Sequence, residues 1–235
     1  MIRVIAIVGS SQGIGLELVR QYSADPNTTI HAGDRYLSEQ LLGLQATRPN
    51  VHAYLADVTD PAALNTMAST IPRVDLLLMV AGVIGPRSPL LGRPPTDDPV
   101  ALDLLRVFSV NVIGSWNVVD AFQAKMGRGG KIMLMTSSFA SMERTTHAQA
   151  PSYSIAKASM GSQAGVNMLG RKLAVELKDR GIDVVLMSPG VVRTEIAGWV
   201  GEIEPEESAA CIRQELEKEG TNGQFLRYDG NGLPW

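Results

Sequence analysis

A single cysteine, Cys211, stands among 235 residues. It has no partner for an intramolecular disulfide, which excludes a disulfide-stapled scaffold and leads us to expect a reducing compartment, the cytoplasm. Cys211 itself is expected to be an ordinary small helix residue. Cations are sparse: 21 Lys and Arg against 24 Asp and Glu give a formal charge of −3. With no basic cluster to follow a phosphate backbone, nucleic acid is not an expected partner. Long apolar runs are missing too. The longest, Leu76 to Ile84, falls well short of the ~20 residues that a membrane span requires, so no membrane partner is expected. The apolar start, Met1 to Val8, runs directly into a glycine motif, which fits a buried strand better than a signal peptide. His31, His52 and His147 have no second ligand at useful spacing, and no metal is expected.

What remains is ordinary globular composition, 45% hydrophobic and 19% charged, without an internal linker. One domain over residues 1–235 is expected. Short, nearly continuous apolar runs predict strands at Arg3–Val8, Thr28–Ala32, Val51–Leu55, Val74–Val80, Lys131–Thr136 and Asp183–Met187. Continuity rather than alternation means that both faces of each strand are covered, as in a parallel sheet. Stretches of helical period lie between them: Gly15–Ser23, Tyr36–Thr47, Pro61–Thr70, an interrupted run from Asp98 to Lys125, and Ser152–Arg180. Asp60-Pro61 is a helix start, and Gly181 after Lys178 and Arg180 is a helix stop. Pro86, Pro89, Pro94, Pro95 and Pro99 mark an irregular crossover. Alternating strands and helices predict a doubly wound α/β sheet whose ligands bind at the carboxyl ends of the strands.

The first strand is followed by Gly9-Ser-Ser11-Gln12-Gly13-Ile14-Gly15 and then a helix. Glycines at these points let backbone approach a pyrophosphate, whose charge the helix N-terminus favours. The second strand leads into Asp34-Arg35. An aspartate there accepts from ribose hydroxyls and repels a 2′-phosphate, whereas an arginine attracts one. Gln12 puts no cation nearby, so the balance leans to NAD(H) with NADP(H) as the alternative. After the third strand, Asp57-Val58 offers a carboxylate to an adenine amino group, or simply enters a helix.

Tyr153 and Lys157 are four residues apart, so on a helix they share a face. An ammonium beside a phenol stabilises phenolate and brings proton transfer within reach of neutral pH. Fifteen positions earlier, Thr136-Ser137-Ser138 puts hydroxyls at a strand end, where a donor can stabilise an oxygen gaining charge. Asn111 lies in an apolar helical stretch and needs partners. It either holds a water that links Lys157 to solvent or satisfies a helix irregularity. Pro189-Gly190-Val-Val192-Arg-Thr194 forms a rigid turn able to present backbone to a carboxamide and Thr194 to phosphates. Ile196, Trp199 and Val200 suggest a short substrate lid over about 195–207, with Met142 and His147 on the opposite wall.

Taken together, Gly9/Gly13/Gly15, Asp57, Ala81-Gly82, Asn111, Ser138, Tyr153/Lys157 and Pro189-Gly190…Thr194 make the chain resemble the short-chain dehydrogenases/reductases. Its ending, Gly223 to Trp235 with Glu206-Glu-Ser208 before it, resembles the C-factor/sniffer branch of carbonyl reductases. The resemblance implies a single-domain Rossmann-type doubly wound sheet of about seven strands with helices on both faces. It also implies an enzyme moving hydride between nicotinamide and a carbonyl or secondary alcohol. Tyr153 would be the acid/base, Lys157 would tune it and bind nicotinamide ribose, Ser138 would orient the carbonyl, and Asn111 would support a proton relay. Ala81 and Gly82 join the cofactor contacts, and a homodimer or homotetramer is expected, to which the small residues Ala156, Ala158, Gly161, Ala164 and Gly165 would contribute. Three features depart from the family pattern. Met79-Val80 replaces two asparagines, the Ser138–Tyr153 interval is long enough to keep Ser137 a rival, and the branch typically uses NADP(H), against Asp34. A dinucleotide sensor or a non-redox cyclase or epimerase on the same fold is the alternative function.

Overall fold

The computed structural model describes residues 2–84, 100–144 and 156–235, the side chains of residues 100, 101, 103 and 156–161 excepted. Seven strands form one sheet: β1 (Arg3–Val8), β2 (Thr28–Asp34), β3 (Val51–Leu55), β4 (Val74–Met79), β5 (Met126–Met135), β6 (Asp183–Ser188) and β7 (Phe225–Arg227). Their order is β3-β2-β1-β4-β5-β6-β7, and every adjacent pair is parallel. The helices are α1 (Gly13–Tyr22), α2 (Glu39–Thr47), α3 (Pro61–Ser69), α4 (Val100–Phe108), α5 (Gly114–Gln123), α6 (Ala156–Glu176) and α7 (Pro205–Leu216).

Continuous apolarity in the strands explains the two-sided packing. Along β1, Ile5 and Ile7 point into a core shared with Leu16 and Leu18 of α1, Leu41 of α2 and Ile212 of α7. The intervening Val4, Ala6 and Val8 point the other way, toward Leu64 of α3, Phe122 of α5 and Leu173 of α6. Successive side chains on a strand face opposite sides, so a strand buried on both must be apolar throughout. Each such aliphatic side chain contributes about 1.5–3 kcal/mol when fully buried. The chain winds outward from β1 in both directions, and the order reverses between β1 and β4. That reversal opens a crevice at the strands' carboxyl ends.

Several elements differ from their sequence expectation in extent. The second helix begins at Glu39, not Tyr36, because the Ser38 hydroxyl accepts from the Leu41 N–H and caps it. β5 starts five residues early, at Met126, with a register shift against β4 between Val74 and Leu76. The long helix expected from Ser152 is described as α6 and then a 3-10 turn at Lys178–Arg180, ended as expected by Gly181 at φ 70°. Asp60 caps α3, accepting from the Ala62 and Ala63 N–H groups ahead of Pro61. The interruption between Asp98 and Lys125 is a π-helical turn, Ser109–Ile113, joining α4 to α5. The proline-marked crossover lies outside the described residues. The last three residues of the expected lid, 205–207, are the first turn of α7. Among the described residues no helix is long and apolar enough to cross a membrane.

On the β2–β3 edge, His31 and His52 are directly opposed and stacked, ring centroids 5.2 Å apart. His31 Nδ1 lies 2.9 Å from the Tyr54 hydroxyl. Burial, reinforced by His52, brings the His31 imidazole down from 6.5 to about 4. The unfolded chain therefore binds this proton more readily than the folded one. Stability from the neutral ring is complete above the unfolded value and is lost as pH falls from about 6.5 through about 4. Discounted for partial solvent access, the loss is about 1–2 kcal/mol. Urea melts of the wild type should therefore show an acid limb over that window. His31→Gln should flatten it, and an unchanged limb would assign it to other groups.

Candidate active site

The first crossing of the crevice is made by backbone. Gly9 leaves β1 at φ 93°, and a Cβ there would stand 2.3 Å from the Ala81 nitrogen. A Cβ on Gly15 would stand 1.8 Å from the Gly9 carbonyl oxygen. Glycine is therefore required at both points for the loop to fold back over α1. Gln12, the N-cap of α1, makes no side-chain capping bond. Among the described residues no side chain accepts from the opening N–H groups of α1, an arrangement that favours an anion. Gly13 faces the Thr194 methyl, with 3.2 Å between that methyl and a built Cβ, so the turn after β6 meets the cradle here.

At the end of β2 the Asp34 carboxylate accepts from the Ser11 N–H at 2.9 Å. Burial pushes its carboxyl above the ordinary value, while the N–H groups of Ser11, Arg35 and Tyr36 pull it back. Asp57 Oδ1 accepts from both the N–H and the hydroxyl of Thr59, at 2.8 and 2.7 Å, so this carboxylate also builds its own turn. Val58 is buried, and its carbonyl accepts from the Asn117 amide.

Asn111 occupies the centre of the π turn and is 1% exposed. Its Oδ1 accepts from the Val83 N–H at 2.9 Å, and its Nδ2 donates to the Val83 carbonyl and the Ser162 hydroxyl. The Ser115 hydroxyl donates to the Asn111 carbonyl at 2.5 Å. The side chain thus ties the irregular helix to the segment after β4 and to α6. After β5, the Ser137 hydroxyl accepts from the Phe139 N–H, and the Ser138 N–H donates to the Ser188 hydroxyl. Just below, the Thr136 hydroxyl donates to Asn167 Oδ1 at 2.7 Å.

The glycine loop, the residues at the strands' carboxyl ends and the turn after β6 border one cleft of about 1000 Å³. Its lining includes Gly9, Ser11, Gln12, Gly13, Ile14 and Gly15, then Asp34, Arg35, Asp57 and Val58, and the backbone turn Ala81-Gly82. Pro189, Gly190, Val192, Thr194, Ile196 and Trp199 line it as well, whereas the buried Asn111 does not. Ser137 lines the cleft, whereas Ser138 is not among its lining residues. Trp199 holds φ 61°, its N–H donating to the Thr194 carbonyl, with its side chain largely exposed at the rim. Such a conformation in a non-glycine residue is strained and is found where neighbouring structure imposes it. The flap is clipped at its base by the Val192–Ile203 bridge and by the Arg193–Glu204 ion pair at 2.7 Å. Met142 is 74% exposed and away from the lining. Tyr153, His147 and the Lys157 side chain lie outside the described residues; Lys157 is placed only by backbone, in the first turn of α6.

Sequence reasoning missed Tyr36, Ser38, Phe139 and Gln163, all in the lining. Gln163 Oε1 is buried with no hydrogen-bond partner among the described residues. The serine of a helix cap was a readable signal for Ser38. Nothing local marked Tyr36 or Gln163. Among the described residues no group of acidic, His or Cys side chains is arranged to hold a metal.

A model of the short chain dehydrogenase family matches residues 3–204. The short chain dehydrogenase virK of Hypocrea virens is 30% identical over 206 residues, 80% of this chain and 73% of that protein. NADPH-bound carbonyl reductase from chicken fatty liver superposes with TM-score 0.86 at 23% identity, covering 100% of this chain and 99% of that one. Carbonyl reductase Sniffer of D. melanogaster gives TM-score 0.86 at 23% identity, covering 100% of both chains.

The close approach at Gly15 yields a direct check. Gly15→Ala should weaken dinucleotide binding at least about tenfold, roughly 1.4 kcal/mol, in a fluorescence titration of reduced nicotinamide. Undiminished binding would show that the cradle is not the phosphate site.

Proposed function

The chain belongs to the short chain dehydrogenases, and from that premise we propose that it is a nicotinamide-dependent oxidoreductase exchanging hydride between NAD(H) and the carbonyl or secondary alcohol of an apolar small molecule. The carrying observation is that the glycine cradle, Asp34 and the Thr136-Ser137 step after β5 border a single cleft at the reversal of strand order. The cradle fits a dinucleotide: its glycines leave no room for side chains, and α1 opens with N–H groups that no side chain caps. When bound, the cofactor supplies the hydride donor or acceptor.

The protein's own residues do the rest. Gly13, Ile14 and Gly15 hold the pyrophosphate by backbone. Asp34 accepts from the adenosine ribose, and its charge disfavours a 2′-phosphate, so NAD(H) is preferred even though the chicken carbonyl reductase carries NADPH. Asp57-Val58 borders the adenine, and Ala81-Gly82 with Pro189-Gly190, Val192 and Thr194 frame the nicotinamide half. Tyr153 gives its proton to the substrate oxygen on reduction and takes it back on oxidation. Lys157 lowers the phenol's pKa and binds nicotinamide ribose. A hydroxyl of the Ser137/Ser138 pair donates to the same oxygen as its charge grows. Asn111 holds the π turn against α6 and so supports the proton relay through Lys157. Ile196 and Trp199 cover the substrate's apolar part.

A second copy of the chain is the expected partner. Gly165 is used within the chain, where a Cβ would meet Val112 and Phe108. Leu102, Leu105, Ile113, Trp116, Met168 and Val175 stay half or more exposed along α4, the π turn, α5 and α6. The lone cysteine fits a cytoplasmic location.

Tyr153→Phe should lower kcat by ~10²–10⁴ while leaving the dinucleotide Kd within about twofold. Near-normal turnover in that variant would remove Tyr153 from the chemistry. Trp199→Ala should change the ranking of carbonyl substrates and spare cofactor affinity. An unaltered ranking across ketones and aldehydes of graded size would refute the lid.

A further inference from the structure

Two loops meet beside the ribose-reading carboxylate, and the bonds between them come from both sides. The Ser11 hydroxyl donates to the Tyr36 carbonyl at 2.5 Å, and the Ser38 hydroxyl donates back to the Ser11 carbonyl at 2.6 Å. Ser10 adds a bond to the Gly33 carbonyl at 3.0 Å. Above this backbone stitching, the Tyr36 hydroxyl donates to Gln12 Oε1 at 2.6 Å. Gln12 and Tyr36 are the side chains flanking Asp34, one from the cradle and one from the β2–α2 loop, and all three line the cleft. Both are neutral, and the bond engages the Tyr36 proton and the Gln12 side-chain oxygen.

We propose that the Tyr36–Gln12 bridge is a second selectivity element, which closes the 2′ side of the adenosine ribose and excludes NADP(H) together with Asp34. This deepens the NAD(H) reading above and rests on it. A 2′-phosphate brings a charge of about −2 and several strong acceptor oxygens, and it needs cationic or N–H donors in reach. Here the Tyr36 proton is already given to an amide oxygen. Burial first, and then the carboxylates of Asp34 and Glu195, raise the Tyr36 phenol above its ordinary value, while Arg35 opposes them. Two acidic groups therefore face this corner of the cleft against Arg35. Breaking the bridge lets the tyrosine ring move, which opens space for the phosphate and for Arg35 to meet it.

The test is the ratio of the NADPH Kd to the NADH Kd, measured by fluorescence titration of the whole chain as wild type, Tyr36→Phe, Gln12→Leu and the double variant. Thermal melts of each report on folding. The bridge predicts that either single substitution lowers the ratio about fivefold, near 1 kcal/mol at ~1.4 kcal/mol per tenfold. The double variant should add nothing further, because both changes remove the same bond. A merely structural role would lower both affinities together and leave the ratio alone. If the wild type prefers NADH but the ratio stays within twofold in both single variants, the bridge is refuted and the NAD(H) reading stands. If the wild type binds NADPH more tightly, that reading fails and the bridge fails with it.

Discussion

The structure depends on a contact in which side chains have no room. Gly9 and Gly15 bring two turns of backbone so close that a single added carbon would overlap a carbonyl oxygen or the Ala81 peptide. That approach folds the loop after β1 over the start of α1 and opens the crevice to a helix end. Its position at the reversal of strand order sets where the rest of the site must gather. The residues after β2, β3, β4, β5 and β6 then converge on the same cleft, although they lie far apart in the chain. A dipolar helix end and rigid backbone donors can meet an anion without reorganising.

A second layer of bonds holds this arrangement in place. Asn111 is the clearest case: one amide satisfies both polar groups of Val83 and the Ser162 hydroxyl, and it does so from a π turn. A regular α-helix would rotate the following residues by a different angle and would not leave the turn that Asn111 occupies. Such bulges recur at functional sites because they trade helix regularity for side-chain placement. Similar stitching joins Ser11, Tyr36 and Ser38 at the other end of the cleft. Both ends of the cleft are therefore held by buried or partly buried polar bonds, and the exposed flap around Trp199 is clipped at its base.

The amino-acid sequence by itself determined the doubly wound sheet, six of the seven strands and the glycine cradle, because these follow from local rules: continuous apolar strands, 3.6-residue periodicity, and glycine where backbone must turn. The caps at Asp60 and Gly181 were legible for the same reason. β7 was not, since three residues carry too little pattern to stand out. Only the tertiary structure decided that Asn111 pairs with Val83 and Ser162, 28 and 51 positions away. It alone showed that Gly165 serves a contact inside the chain, that Ser137 lines the cleft, and that Tyr36 reaches Gln12 across 24 positions. The physical reason is common to all four: a hydrogen bond or a void is a relation between two surfaces, and neither surface announces its partner in its own residues.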